Sequence, residues 1–263
     1  MQPSLPTLFL SHGAPDILLS DDPTLAVWRG LAVRLPRPSA VAVVSAHWTA
    51  SPVGITGAGD LATIHDFGGF SAELYARTYP ARGAAELTAS VADLLGSAGI
   101  DHQVHPRRGL DHGAWIPLAL IYPDAGVPVI QVSLPGDDLD ACARLGEALT
   151  SLAGQGVLVI GSGGAVHNLR QLKPGGPPDP WALGFASWLQ ETVETGDLTR
   201  LLGQVRRRDD LGRAHPSLEH FAPLVVAWAA GGRGGPGHSI HQGFTYGNLG
   251  MGCYAFGEGR VLD

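Results

Sequence analysis

The chain has 263 residues, of which 44% are apolar and 16% are charged, with a formal net charge of −7 and two cysteines. This composition suits a globular protein with a sizeable core; it excludes a disordered chain or a disulfide framework, and the negative charge disfavours nucleic acid and anionic membranes as partners. No apolar stretch approaches the ~20 residues that span a bilayer and no signal peptide opens the chain, so we expect a cytoplasmic protein.

Short apolar runs alternate along the chain with amphipathic stretches. Four runs that are apolar on both faces predict buried strands, at Leu8–Leu10, Ala40–Val44, Val129–Val132 and Val157–Ile160. Helical spacing predicts helices at Ala84–Ala98, Leu139–Ala153 and Pro180–Glu194. The alternation predicts a single α/β domain over residues 1–263, with three α/β/α layers around a mostly parallel central sheet. The segment Gly243–Gly257, rich in glycine and aromatic residues, is expected to form an antiparallel hairpin at the edge of the sheet.

The 11 histidines are the unusual feature of the composition, and three of them follow predicted strands. The first, second and fourth predicted strands lead within a few residues to His12, His47 and His167. Open α/β sheets bind ligands at the carboxyl ends of their strands. Neutral imidazole is the commonest metal ligand, and three imidazoles suit zinc, iron or copper. The pattern therefore predicts a shared metal or catalytic site at this edge of the sheet.

A further histidine cluster lies at residues 215–223. Pro223 is tolerated only in the first turn of a helix, so we expect a helix to begin near His220 and to continue through Ala230. His220 would then project from the start of that helix as a ligand. The alternative is that His215 and Glu219 only solvate a loop.

Two turns combine polar and aromatic groups. In residues 64–70 an aromatic pair flanks two glycines, which indicates either the pocket of a planar ligand or a turn anchored by two buried phenylalanines. In residues 110–122, His112 either lines the site or begins a helix capped by Asp111, although Pro117 would then lie inside that helix. The other histidines in polar or glycine-rich surroundings are expected at the surface: His102, His105, His238 and His241.

Together these segments resemble the 4,5-DOPA extradiol dioxygenase family, which belongs to the LigB-type, class III ring-opening dioxygenases. The resemblance covers nearly the whole chain and rests on motifs in the same order, at Ser11–Pro15, Ser45–Trp48, Thr63–Phe70, Gly109–Trp115, Gly161–Asn168, His215–Pro223 and Tyr246–Gly247. It implies a LigB-like fold. It also implies that a catechol is cleaved by O₂ beside its two hydroxyls, which gives a muconic semialdehyde.

The resemblance further implies roles for individual residues. The metal ligands would be His12, His47 and His220. His167 is similar to the acid/base that handles the protons of the catechol, and His112 to a further pocket histidine. The substrate-binding residues would be His65, Phe67 and Tyr246.

The resemblance leaves the third ligand and the metal open. LigB itself has a carboxylate as third ligand, whereas this chain offers His220 with Glu219 beside it. Three neutral imidazoles suit Zn²⁺, but zinc has no redox chemistry, so turnover with O₂ requires one Fe²⁺ per chain. Two alternatives follow: a non-catalytic zinc-binding LigB-like protein, and a zinc-dependent hydrolase in which His167 is the base.

Overall fold

The computed structural model describes residues 4–257; the first three and last six residues of the predicted 1–263 domain lie outside the described residues. The strands are β1 Thr7–Ser11, β2 Ala40–Thr49, β3 Val53–Thr56, β4 His102–His105, β5 Val129–Leu134, β6 Val157–Gly163, β7 His238–His241, β8 Phe244–Thr245, β9 Leu249–Gly250 and β10 Cys253–Phe256. The α-helices are α1 Pro23–Arg34, α2 Ala72–Tyr75, α3 Ala85–Ser97, α4 His112–Ile121, α5 Leu139–Ala148, α6 Ser151–Gly154, α7 Pro180–Thr195, α8 Leu198–Val205, α9 Leu211–Ala214 and α10 Ala222–Gly231.

Eight strands form one sheet in the order β4-β3-β5-β2-β6-β1-β10-β7. The four predicted strands are its central strands β5, β2, β6 and β1, and all three pairings among them are parallel. Their registers bring the carboxyl ends together: Ser45 of β2 and Leu10 of β1 both lie opposite Ser162 of β6. The α/β class and the mostly parallel centre are thus confirmed.

Helices cover both faces of this sheet. Because side chains alternate along a strand, β2 contributes Ala42 and Val44 to one core and Val41 and Val43 to the other. The first core is closed by α3, α5, α7, α8 and α10, and the second by α1 and α4. This arrangement gives the three layers that the alternation predicts.

The predicted antiparallel hairpin within residues 243–257 is confirmed as β8 and β9, but it does not form the edge of the main sheet. Strand β10 pairs with both β1 and β7, so β7 (His238–His241) is the edge strand of the sheet on this side. The predicted segment begins at Gly243, after β7. Its strands β8 and β9 pair with each other in a small two-stranded sheet, and Gly250 of β9 also bridges to Val166. The Gly-rich residues 243–257 are therefore divided between two sheets.

Three helices differ in detail from the expectations. The predicted helix Leu139–Ala153 ends at Ala148, and a short α6 follows it. Helix α4 forms in spite of Pro117, which lies inside it. Helix α10 begins at Ala222 with Pro223 in its first turn, two residues after His220. Across residues 4–257, none of the helices has the length and apolar character needed to cross a membrane.

Candidate active site

Three imidazoles meet at the carboxyl edge of the central strands. His12 follows β1, His47 lies near the end of β2, and His220 lies in the turn before α10. The Nε2 atoms of His12 and His47 are 3.0 Å apart, and one ring nitrogen of each of the three histidines lies within 4.8 Å of the others. Backbone bonds join the segments of His12 and His220 through the end of β6, since His12 N–H donates to Gly163 O at 3.0 Å and Gly164 N–H to His220 O at 2.9 Å. The predicted metal ligands are therefore brought to one centre.

Each of these three rings has a polar partner at Nδ1. His12 Nδ1 lies 3.0 Å from Ser162 Oγ, and His220 Nδ1 donates to Glu219 Oε1 at 3.2 Å. His47 Nδ1 lies 3.7 Å from Asp66 Oδ2. A proton at Nδ1 leaves the lone pair at Nε2, which is the atom that a metal binds. Among the described residues, His220 Nε2 is buried without a hydrogen-bond partner, as expected for a ligand atom that faces a cation.

The proline inside α4 contributes to this arrangement. Because Pro117 has no N–H, the carbonyl of Gly113 four residues earlier has no helical donor. The hydroxyl of Ser162 donates to this carbonyl instead. Ser162 therefore accepts from His12 Nδ1, which fixes the lone pair of His12 at Nε2.

Glycine at position 113 lets helix α4 approach the histidines closely. A Cβ atom there would lie 2.3 Å from Ser45 Oγ, 3.1 Å from His47 Cδ2 and 3.3 Å from His12 Cε1. Any larger residue would displace the side chain of Ser45 and crowd the two rings, so the close approach of α4 depends on this glycine.

Burial keeps the imidazoles of this cluster uncharged in the metal-free chain. Burial lowers the pKa of His47 to about 2, assisted by His112 and His220 and opposed by Asp66. Burial also holds the pKa of His12 well below its ordinary value, with His47 as the next cause. Neutral rings have free lone pairs and do not repel a cation, so the donor set fits a divalent metal ion.

His167 stacks directly on His220. The two rings are parallel within 4°, with 3.5 Å between their centroids, and His167 N–H donates to Ala214 O at 2.9 Å. Burial lowers the pKa of His167 to about 3, with His220 as the next cause. His167 thus lies beside the three-histidine group without belonging to the set of nitrogens that converge.

His112 is the first residue of α4, and its ring lies 3.9 Å from that of His47 and 5.4 Å from that of His12. The N-cap position is Asp111, as predicted, but its side chain makes no capping bond. Instead, the backbone N–H of His112 donates to Asp66 Oδ1 at 2.9 Å. Asp66 is not among the site residues predicted from the sequence. The local indication of a role for it is its position next to His65 in the 64–70 motif.

The loop that carries Asp66 also places aromatic rings over the site. Phe67 stands edge-on to His112, with 5.6 Å between ring centroids, and packs against Tyr75 at 5.3 Å. His65 donates through Nε2 to Arg77 O at 2.9 Å, and its ring lies 5.7 Å from that of Trp115. Phe67 therefore reaches the histidine cluster, whereas His65 is engaged within the loop wall.

Tyr246 lies between β8 and β9, with a φ of 49°. Its hydroxyl donates to the carboxylate of Asp16, four residues after His12. Burial and then Asp16 raise the pKa of Tyr246 to about 12. The structure thus connects Tyr246 to the segment after β1.

His215 does not solvate a loop, and that part of the alternative is wrong. The side chain is buried, and its ring packs against Phe185 and Phe221. Nε2 donates to Ala165 O at 3.1 Å, which fixes the segment that leads to His167. The polar residues next to His215 in the sequence suggested that its side chain is exposed. The two phenylalanines that bury it are not sequence neighbours: Phe185 lies in α7, and Phe221 follows His220.

Converging neutral imidazoles at the carboxyl edge of a parallel sheet define a candidate metal-dependent enzyme. Comparison with known proteins specifies the class. The sequence profile of the family described as "Catalytic LigB subunit of aromatic ring-opening dioxygenase" matches residues 6–257. The chain belongs to this LigB family, and it is an aromatic ring-opening dioxygenase of the extradiol type.

Individual relatives agree with this assignment. The chain is 37% identical to a 4,5-DOPA dioxygenase extradiol of Beta vulgaris, over 95% of this chain and 96% of the relative. It is 34% identical to a protein of the same name from Escherichia coli K12, over 94% and 93% of the two chains. The crystal structure of an uncharacterized protein from Escherichia coli K12 superposes with a TM-score of 0.80 at 30% identity, covering 96% of this chain and all of the other.

Proposed function

We propose that this chain uses O₂ to cleave a DOPA-like catechol beside its two hydroxyls, at one divalent metal ion held by His12, His47 and His220, and that the product is a muconic semialdehyde. One observation carries the proposal. The three imidazoles converge within 4.8 Å, and each has a polar partner near Nδ1. The names of the relatives, 4,5-DOPA dioxygenase extradiol, support the substrate class.

The contacts of Glu219 favour His220 as the third ligand. Glu219 Oε1 accepts from His220 Nδ1 and from the hydroxyl of Ser217 at 2.9 Å. Hydrogen bonding to His220 lowers the pKa of Glu219 to about 2 in spite of its partial burial, so the carboxylate is ionised at neutral pH. A negative charge behind the ligand ring offsets the charge of a metal ion without replacing the imidazole.

An ion held by His12, His47 and His220 would supply the chemistry that the side chains lack: Fe²⁺ would provide open positions for catechol and O₂ together with redox chemistry, whereas Zn²⁺ would suit the same donors without redox chemistry. The side chains orient the substrate and move its protons. His167 is neutral at pH 7, so its lone pair is free, and we assign it to accept a proton from a catechol hydroxyl and to return it later in the reaction. Its stacking on His220 places it next to the ligands.

The remaining side chains hold the catechol ring. His112 lies between His47 and Phe67, where it hydrogen-bonds the substrate or O₂. We assign Phe67 as an aromatic edge for the ring, with His65 of the same loop and Tyr246 of the β8–β9 turn as further substrate-binding residues. Cytoplasmic location, a single domain over residues 1–263, and the exclusion of nucleic acid and membranes remain predictions from the sequence.

The test is O₂ consumption by protein loaded anaerobically with Fe²⁺. We expect uptake with at least one member of a broad catechol panel that includes DOPA, together with formation of a semialdehyde absorbance. Zn²⁺-loaded protein is the matched control and is expected to consume none. Iron-loaded protein that consumes no O₂ with any catechol would contradict the proposal. Metal binding without turnover would then favour the zinc-binding relative, and anaerobic ester or amide hydrolysis would favour the hydrolase.

A further inference from the structure

We infer that Asp66 is a positioning residue of the metal centre, whose carboxylate holds the rings of His47 and His112 in one arrangement and keeps Nε2 of His47 available to the metal. The inference rests on the proposed function, because it takes His47 as a ligand. The sequence analysis of residues 64–70 predicts no role for the side chain of Asp66.

One carboxylate contacts both histidines. Asp66 Oδ1 accepts the backbone N–H of His112 at 2.9 Å and lies 3.0 Å from His112 Nδ1. Asp66 Oδ2 lies 3.7 Å from His47 Nδ1. The two rings are 3.9 Å apart between centroids, so a single carboxylate faces both of them.

The carboxylate of Asp66 acts on the tautomer of His47 through its charge, because 3.7 Å from Nδ1 is too long for a hydrogen bond. His47 Nε2 faces His12 Nε2 at 3.0 Å, on the side where the three ligand atoms converge. A carboxylate near Nδ1 favours the tautomer with the proton at Nδ1, which leaves the lone pair at Nε2. Glu219 has the same relation to His220, whereas His12 has the neutral hydroxyl of Ser162. Asp66 and Glu219 thus place two negative charges behind three neutral ligands.

Two hydrogen bonds fix the loop that delivers Asp66. Ile64 N–H donates to Leu110 O at 2.8 Å, and Trp115 Nε1–H donates to Ile64 O at 3.0 Å. The loop is therefore attached to the segment before α4 and to α4 itself. The side chain of Asp66 also satisfies the first N–H of α4, which has no partner within the helix.

These two roles can be separated by substitution. Asp66→Asn keeps an oxygen that accepts the N–H of His112 but removes the charge that faces both rings. Asp66→Ala removes both functions. Asp66→Asn is therefore the informative variant, and Asp60→Asn is its matched control, because Asp60 is 91% exposed and lies near Arg82.

The experiment measures the affinity of the full metal-free chain for Zn²⁺ alone, by competition with a chromophoric chelator. We expect Asp66→Asn to bind Zn²⁺ about 10–100 times more weakly than wild type, the usual effect of removing such a partner, and Asp60→Asn to stay within about twofold. Unchanged affinity in Asp66→Asn would overturn the inference. Two Zn²⁺ per wild-type chain, falling to one in Asp66→Asn, would overturn it too, because Asp66 would then be a ligand itself.

A second variant keeps the test valid if Asp66→Asn does not fold, which circular dichroism of the metal-free chain reveals. Asp66→Glu keeps the charge, and we expect it to recover at least part of the affinity lost in Asp66→Ala. Equal affinities of the Glu and Ala variants would contradict a role for the charge. Because the readout is Zn²⁺ binding, a chain that depends on Asp66 for affinity yet consumes no O₂ would refute the proposed function alone.

Discussion

Histidines occur at the centre and at the edges of the same sheet, in very different surroundings. At the centre, His12 follows β1 and His47 lies near the end of β2. Both strands pair in parallel with β6 between them, and the two rings contact other imidazoles. At the edges, strands β4 and β7 carry two histidines each. There His238 is exposed and His241 lies 3.1 Å from the hydroxyl of Thr24.

The difference shows that the position of the strand decides what an imidazole can do. The carboxyl ends of the parallel central strands lie side by side at one edge of the sheet. Histidine rings from distant positions along the chain therefore become neighbours there. Burial and the neighbouring imidazoles then keep these rings neutral. The outermost strands have a neighbour on one side only, and among residues 4–257 their histidines belong to no group of converging metal-ligand atoms.

The largest expected effect comes from removing a central ring. His12→Ala or His47→Ala should lose the bound metal and bring kcat/KM for the catechol below detection, because two imidazoles cannot replace three. His238→Ala, on the edge strand β7, is the matched control and should retain both. Metal content by elemental analysis and O₂ uptake measure the two outcomes. A His12→Ala protein that binds metal as tightly as wild type would show that the histidines of the central strands are no more important for metal binding than those of the edge strands.

The next effect separates His167 from the ligands it contacts. His167→Ala should retain the metal while kcat/KM falls by about 10²–10⁴, the usual contribution of a general acid or base. The stacked ring of His220 keeps its partner Glu219 in this variant, so the ligand set stays intact. The same metal analysis and O₂ assay apply. Loss of metal from His167→Ala would place this residue among the ligands and contradict the proposed roles.

Local sequence patterns were sufficient to predict the central strands of the sheet. A run such as Val41–Val44 is apolar at every position, which is typical of a strand that is covered on both faces, and the structure confirms this for β2. The histidines that follow such strands could be assigned to one edge of the sheet because parallel strands end on the same side. Strand identity and direction together therefore predicted that His12 and His47 would meet.

Contacts between distant segments could not be predicted in this way. Asp66 meets the backbone of His112 across 46 residues, and no local pattern in its loop encodes that pairing. His215 lies among polar neighbours in sequence, yet Phe185, thirty residues earlier, helps to bury it. The position of β10 inside the sheet likewise depends on its pairing with β1, at the other end of the chain. These features follow from tertiary packing.

The stability of the metal-free chain should depend on pH because of the buried central rings. The pKa of His167 is lowered from its ordinary value of 6.5 to about 3. Below pH 6.5 the unfolded chain gains a proton that the folded chain does not, so stability is full above pH 6.5 and falls as the pH decreases toward 3. At pH 5 the loss is about 2 kcal/mol for this ring.

Denaturant unfolding of metal-free wild type and His167→Ala at pH 7 and pH 5 measures this contribution. The variant should lose about 2 kcal/mol less than wild type between the two pH values. At pH 7 and 8 the stability of each protein should be nearly constant with respect to this group. Identical losses in the two proteins between pH 7 and pH 5 would show that His167 is not buried as a neutral ring.

The smallest effect concerns the loop over the central rings. Phe67→Ala should raise KM for the catechol about 3–10-fold with unchanged metal affinity, because it removes an aromatic contact worth about 0.5–1.5 kcal/mol. Phe67→Leu, which keeps much of the apolar bulk, should give an intermediate KM. Steady-state O₂ uptake, with Zn²⁺ affinity measured in parallel, distinguishes substrate binding from metal binding. If Phe67→Ala instead lost metal, the aromatic ring of the loop would be needed to assemble the imidazoles, and its role would not be confined to substrate binding.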